Sequence, residues 1–507
     1  MTMRRTLSRL TFFVVILVLA WGVPPATAQS GFDDDRVMLQ GFYWESHRHG
    51  HPGYEQFGPD KWYSIVRDNA ETIADGRFDL IWLPPPSEAG EVSAGYGPKE
   101  YFNLANSYGN FDDHRGMLEA LLAKGIEPIA DLVLNHRDGS GGWTTFRNPA
   151  WGLWAITRHD EAFHNPASGV ADTPLDQRGA EEEQPTPYGS AAGTTYAYDV
   201  FRDIDHTNRD VRRDLFRYLL QLKSLGYRGW RYDMVHGFHA RWLAAYNRRT
   251  TPTFSVGEYD WDKQGQQRGW VFHTATSPGD LRTASSVFDF TTQFTLKDNK
   301  DRYVVWYGFG HGLGLVGDTT DGQPWKQRAV TFLENHDTGY RTNADGTPEE
   351  HHKFDSFQNT WEVEQAYAYI LTHPGVPCVY WKHYFDWGQG LRNKIRALIN
   401  ARKVAGVHSG SDLVLQENAR SRGVYAARVT GRAGDLYVRV GGSDADWQPS
   451  ESGFADYREY ATGAGWRVWV RLPGNPAHQQ APHKPPLPVP AYRTPESIAI
   501  PDEWLNP

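Results

Sequence analysis

Short apolar, β-branched and aromatic runs alternate along the chain with stretches whose apolar positions recur every three to four residues. This rhythm predicts strand-helix units rather than a sandwich of strands. Eight runs read as strands: 37–42, 80–83, 128–133, 229–233, 254–257, 286–290, 329–333 and 376–380. Helical periodicity marks 112–124, 210–225 and 363–371, and in the second Leu215, Leu219 and Leu222 fall on one face. The expected fold is α/β, a closed (β/α)8 barrel.

The rhythm breaks between 137 and 202, a segment rich in Gly, Pro and acids that is too long for an ordinary loop. After a helical stretch at 393–405 the pattern becomes β alternation in GVYAARV, DLYVRVG and WRVWVRL, predicting a small antiparallel domain. In WRVWVRL, alternation sets Trp466, Val468 and Val470 on one face and Arg467, Trp469 and Arg471 on the other. Trp469 is therefore expected outside the small domain's core. Past Leu472, APHKPPLPVPAYRTP reads as an extended tail with no core of its own. At the other end Arg4, Arg5 and Arg9 precede the apolar run 10–23 and Ala26-Thr27-Ala28, the layout of a cleaved export leader. The expected division is a leader at 1–28, a barrel from 31–136 and 203–405, an insertion at 137–202, a β domain at 406–473 and a tail at 474–507.

Four segments each read as a strand that stops on charged residues: DLVLNHR (131–137), GWRYDMVHG (229–237), FSVGE (254–258) and TFLENHD (331–337). Asp233, Glu258 and Asp337 stand at strand ends, and in a barrel the C-terminal ends of different strands share one mouth. Carboxylates gathered around one sugar ring are what glycoside hydrolysis requires. Arg231 and Asp233, two apart on a strand, point to the same side, so the guanidinium would favour the ionised form of the acid. A net charge of -9 with no basic stripe argues against a nucleic-acid partner. With a single cysteine, Cys378, no intramolecular disulfide can form, and its apolar strand predicts a buried thiol. Aromatic side chains (20 Trp, 26 Tyr, 24 Phe) form a high fraction for a soluble enzyme and suit the flat faces of sugars, although core packing must absorb most of them.

From 39 to 407 the chain carries, in order, QGFYWES, IWLPPPSE, GYGPKEYFNL, DLVLNHR, RDIDHTN, GWRYDMVHG, VGE, ENHDTGY and PGVPCVYW. In this succession it resembles the α-amylase family of glycoside hydrolases. Gly237, where many relatives carry histidine, and PGVPCVYWKHYFDWG bring it nearest to plant α-amylases and bacterial maltooligosaccharide-forming amylases. The resemblance implies a retaining enzyme cutting internal α-1,4 bonds of starch, glycogen and maltooligosaccharides. It also implies that the insertion after the third strand is domain B and the terminal sheet domain C.

By the same resemblance Asp233 is the nucleophile, Glu258 the general acid and base, and Asp337 the stabiliser of the oxocarbenium-like transition state. Apolar or anionic surroundings, with Tyr259 and Trp261 as neighbours, are expected to keep Glu258 protonated to near neutral pH. Tyr96 matches an aromatic platform under the sugar. His136, Arg231, His236 and His336 match substrate-side positions, and Asp131 a supporting one. His236 departs from the lysine or arginine of most relatives. Hard oxygen ligands point to Ca2+. The resemblance places Asn135, Asp203 and the Gly237 carbonyl around the ion; the aspartate usual about ten residues before Asp203 is missing here, leaving Asp199 as a weak substitute.

The motifs do not separate endo action from exo release of one oligomer, or hydrolysis from transglycosylation. A non-catalytic starch-binding protein would have no need of all three acids. The expected state is a monomeric exported protein, extracellular or periplasmic, with an α-glucan as partner and no membrane association once the leader is removed.

Overall fold

The computed structural model describes residues 33–180, 201–259, 264–308, 310–318, 321–339, 341, 357–443, 447–449, 456–472 and 480–506. Eight parallel strands close into a barrel: β1 Met38–Gln40, β2 Leu80–Leu83, β3 Glu127–Leu132, β4 Gly229–Tyr232, β5 Ser255–Gly257, β6 Ser286–Phe288, β7 Ala329–Thr331 and β8 Val376–Tyr380. Each pairs with its neighbour in sequence, and β8 returns to β1 with Cys378 opposite Met38. All eight expected strands form. Several ladders stop before the apolar run does, because the last residues of each run turn into the barrel mouth. Cys378 is buried, and burial pushes its thiol pKa up.

The outer helices follow their caps and apolar stripes. Asn110 accepts a hydrogen bond from Asp113 N at 2.9 Å to start α1 (Phe111–Ala123), and Asn208 does the same for α2 (Arg209–Leu225) from Asp210 N at 2.9 Å. Leu215, Leu219 and Leu222 of α2 are fully buried against the barrel. The segment after β3 is closed at its base by antiparallel pairing of His136 with Asp203 and Arg137 with Arg202. Arg137 replaces a hydrophobic core there: its guanidinium donates to the carbonyls of Pro149 (2.9 Å), Lys99 (2.8 Å) and Arg147 and lies on the rings of Tyr101, Phe146 and Trp151.

Five antiparallel strands make the C-terminal sheet: β9 Asp412–Leu415, β10 Tyr425–Thr430, β11 Asp435–Val440, β12 Arg458–Gly463 and β13 Trp466–Arg471, in the order β9-β10-β11-β13-β12. One face packs on the helices Thr360–Thr372 and Gln389–Ala405, where Glu364 accepts from Trp466 Nε1 at 3.1 Å. The other face is also covered. Trp469, expected to be open, is 6 % exposed and sits in a second small core with Tyr437, Trp447 and Tyr457. Alternation located its face correctly, but Trp447 and Tyr457, which lie outside the strands, cover it, so Trp469 is a packing residue.

The proline-rich tail is extended and has no core of its own, but it is docked. Residues 480–506 run as a strap over the outside of the barrel: Leu487 N donates to Leu122 O at 2.8 Å, Arg493 N to Ser224 Oγ at 2.9 Å, and Arg212 to Leu505 O at 2.6 Å. Ile498 and Leu505 are buried although the strap has no core of its own, because α2 supplies the other half of theirs. Leu505→Ala is expected to cost about 2–3 kcal/mol in urea unfolding; a loss below ~0.5 kcal/mol would show that the strap's end is not a stability element. Among the described residues no helix is long and apolar enough to cross a membrane. The leader lies outside the described residues.

Candidate active site

Strand register assembles the charged centre. Asp131 on β3 stands opposite Arg231 on β4, and Tyr232 opposite Gly257 on β5, which sets Asp233 and Glu258 at the ends of adjacent strands. Gly257 is required there, since a Cβ would lie 2.2 Å from the Trp270 ring. The Arg231 guanidinium, fully buried, donates to Asp131 Oδ1 (2.7 Å) and Asp233 Oδ1 (2.8 Å) and pairs with Glu258 Oε2 at 2.7 Å. Met234, at φ +42, turns the chain after Asp233 so that its N–H reaches Glu258 Oε2 at 3.3 Å. Asp131 also accepts from Trp82 Nε1 (3.0 Å) and Tyr96 OH (2.8 Å), so its oxygens are spent on holding the site's frame.

Opposite this centre, the end of β7 carries His336 and Asp337. Gln40 donates to His336 Nδ1 at 3.0 Å, His336 Nε2 lies 3.3 Å from Asp337 Oδ2, and Arg341 donates to Asp337 Oδ1 at 2.9 Å. Tyr96 and His336 are parallel with centroids 5.1 Å apart, and Trp44 is parallel to both. Asp337, with 38 % of its side chain exposed, is far more open than Asp233 or Glu258.

Burial pushes the Asp233 pKa well above the usual carboxylate range; Arg231 pulls against it, and the Glu258 and Asp131 charges add to the rise. Asp131 is pushed up to about 6 by burial, again against the pull of Arg231. His336 is held neutral, well below its ordinary value, by burial and by Arg231. Of the apolar or anionic surroundings expected of Glu258, the anionic neighbour is present in Asp233, and the forked guanidinium reaches both strands and faces Glu258 as closely as Asp233. Asp131, Asp233 and Glu258 thus share one cation.

The remaining expected residues divide into three places. His136 Nε2 bonds the Tyr96 carbonyl at 2.7 Å and its ring stacks on Phe201, so it supports Tyr96. His236 is 9 % exposed and lies edge-on to Tyr259, which is buried; Trp261 lies outside the described residues. Asn135, Asp203 and Gly237 form a second cluster around a cavity of about 20 Å3 that Thr157, Asp205 and His239 also line. Asn135 Nδ2 donates to Asp203 at 3.2 Å, and a Cβ on Gly237 would stand 2.1 Å from Asn135 Oδ1, so the glycine keeps this cradle open. Asp199 lies outside the described residues, among which no group of three or more His, Cys, Asp or Glu could hold a metal ion.

Comparison with known proteins identifies the family. The profile "Alpha amylase, catalytic domain" matches residues 66–250, and "Alpha-amylase C-terminal beta-sheet domain" matches 404–470. The chain is 30 % identical over 457 residues to "Probable alpha-amylase 2" of Arabidopsis thaliana, covering 86 % of this chain and 94 % of that one. The chain belongs to the α-amylase family. It is also 29 % identical over 459 residues to a glucan 1,4-alpha-maltotetraohydrolase of Roseateles saccharophilus, covering 86 % of this chain and 73 % of the relative. An α-amylase of Geobacillus thermoleovorans, solved with acarbose, shares the fold at a TM-score of 0.58, 13 % identity, and coverage of 87 % of this chain and 99 % of that one.

As a member of the α-amylase family the protein is a glycoside hydrolase. Four residues of its mouth had no role assigned from sequence: Gln40, Trp44, Trp82 and Arg341. The first two belong to QGFYWES, which starts on the last residue of β1, and the third to IWLPPPSE on β2, so their motifs were visible although their orientation was not. Arg341 follows Asp337 by four residues and carried no signal.

Proposed function

We propose that this α-amylase family member is an exported retaining hydrolase that cuts internal α-1,4-glucosidic bonds of starch, glycogen and maltooligosaccharides. One observation carries the reading: Asp233 and Glu258, on adjacent strand ends, face the same buried guanidinium. In the first step Glu258 gives its proton to the glycosidic oxygen as the C–O bond breaks, and an Asp233 oxygen bonds the anomeric carbon. In the second, water gives a proton to Glu258, attacks that carbon and frees Asp233 as carboxylate. Burial favours the protonated forms of Asp233 and Asp131 beside the shared cation, which holds a proton within reach of Glu258. Entry of the sugar brings hydroxyls to Asp337 and His336 and a ring face to Tyr96, while Arg231 steadies the charge on Asp233. His236 belongs to the leaving-group side in this reading, and His136 serves by holding Tyr96.

The likeness to a maltotetraohydrolase favours a second reading, exo release of one oligomer. A time course on soluble starch separates them: mixed lengths at early times are expected, and one dominant oligomer from the start would replace the endo reading with the exo one. No release of reducing sugar would sink both. The division into barrel, insertion at 137–202, β domain at 406–473 and tail, cleavage of the leader 1–28, and a monomeric state belong to the same proposal.

Asn135, Asp203 and the Gly237 carbonyl are further proposed to hold Ca2+. Hard oxygens around a cavity of ion size and a glycine that keeps it clear support this, with water or further residues needed to reach six to eight ligands. The ion would tie the base of the insertion to the β4 loop. A chelator is expected to lower the melting temperature, and Asn135→Ala to remove most of that response, because an ion bound only by the native state stabilises it by mass action. Metal-stripped protein whose melting curve ignores added Ca2+ would refute the site.

A further inference from the structure

Arg341 holds a position in the mouth that the proposed chemistry does not use. Its guanidinium carbon lies 3.9 Å from the centroid of the Trp44 ring, stacked on the indole, while one terminal nitrogen donates to Asp337 Oδ1 at 2.9 Å. The side chain is 21 % exposed, and Trp44 and Tyr96 beside it are half-buried, so the group borders open space. Its Nε is buried and makes no hydrogen bond to any described residue. A guanidinium has five N–H donors in a fixed plane, and the ion pair with Asp337 uses one of them. Stacking on Trp44 fixes that plane, so the remaining donors are held in place at little further entropic cost. A hydroxyl-rich chain lying against Trp44 would present acceptors to them.

We infer that Arg341 is a substrate-binding and specificity residue of the glucan site, donating from its stacked guanidinium to a hydroxyl of the α-glucan. The inference rests on the hydrolase reading above. The ion pair alone would make Arg341 a positioning group for Asp337, and loss of it would lower kcat. Loss of a donor that the sugar uses equally before and during reaction raises KM and leaves kcat nearly unchanged.

Maltoheptaose binding is measured by calorimetry in the Glu258→Gln background, where the oligomer persists, with and without Arg341→Ala. The dissociation constant is expected to rise ~10-fold, the ordinary effect of removing one hydrogen bond from a charged donor. In the active enzyme Arg341→Ala is expected to raise KM by a similar factor with kcat changed less than about threefold. Arg341→Lys, which keeps length and charge and guards against a variant that fails to fold, is expected to remain at least about threefold weaker because its ammonium cannot reproduce the planar fork. Equal affinity in all variants, full recovery by lysine, or a fall in kcat at constant KM would each overturn the inference. Should wild-type protein hydrolyse no starch and the Glu258→Gln variant bind no maltoheptaose, the hydrolase reading fails first; starch hydrolysis with an unaltered Arg341→Ala affinity refutes Arg341 alone.

Discussion

Asp233→Asn and Glu258→Gln are each expected to lower starch hydrolysis by on the order of 10^4-fold or more while the circular dichroism spectrum stays that of the wild type. Each substitution is close to isosteric, and each removes half of a displacement that the other residue cannot complete. The folded state should not suffer. Asp233 is an acid whose pKa is raised in the native state, so its charge costs stability as the pH rises above 3.8, the ordinary value. Asp233→Asn is therefore expected to melt at or above the wild-type temperature at pH 7, with the difference shrinking towards pH 4. Near wild-type turnover in a folded variant would mean that the site is misplaced.

Arg231→Met is expected to produce the largest loss of stability of any single change in the barrel, about 3–5 kcal/mol at pH 7. The guanidinium is wholly buried, pairs with three carboxylates and lies over Trp82 at 4.8 Å, and removing it leaves the acids facing one another with no cation. The pH dependence has a definite sign. Asp131, already at about 6 with Arg231 present, contributes fully below 3.8 and loses its contribution as the pH rises through 6; without the cation its native pKa moves higher. The melting-temperature gap between wild type and variant should be widest above pH 6 and narrow towards pH 4. A gap independent of pH would indicate lost packing rather than lost charge pairing. Activity should fall as well, since Asp233 would no longer be drawn toward its ionised form.

Much of this fold could be read in the chain because barrel strands are short apolar runs separated by amphipathic helices, and each kind announces its own period. All eight strands, and the helices around Leu215 and Ile395, follow from that pattern. The acids were legible for a different reason: they sit where an apolar run ends on a charge. Register was not legible. That Arg231 would serve Glu258 as closely as Asp233 depends on which residues lie side by side on three parallel strands, and no local pattern encodes it. His136 illustrates the same limit, since its motif places it at the strand end but cannot show that its ring turns towards the Tyr96 carbonyl. The strap from 480 to 506 and the cover over Trp469 escaped because irregular segments bury their side chains against residues remote in sequence. Arg341 was silent because its value lies in what it stacks on.

The central claim, that Asp233 is the nucleophile of a retaining reaction with Glu258 as its proton donor, is tested most directly by trapping the intermediate. The folded wild-type enzyme is treated with a fluorinated maltosyl fluoride that esterifies faster than it hydrolyses, then digested and sequenced by mass spectrometry. The account predicts a single glycosyl ester on the peptide that contains Asp233, and accumulation of that ester should depend on a free Asp233 carboxylate. An ester on Asp337 or another carboxylate, or turnover that releases the inverted anomer with no ester formed, would contradict it.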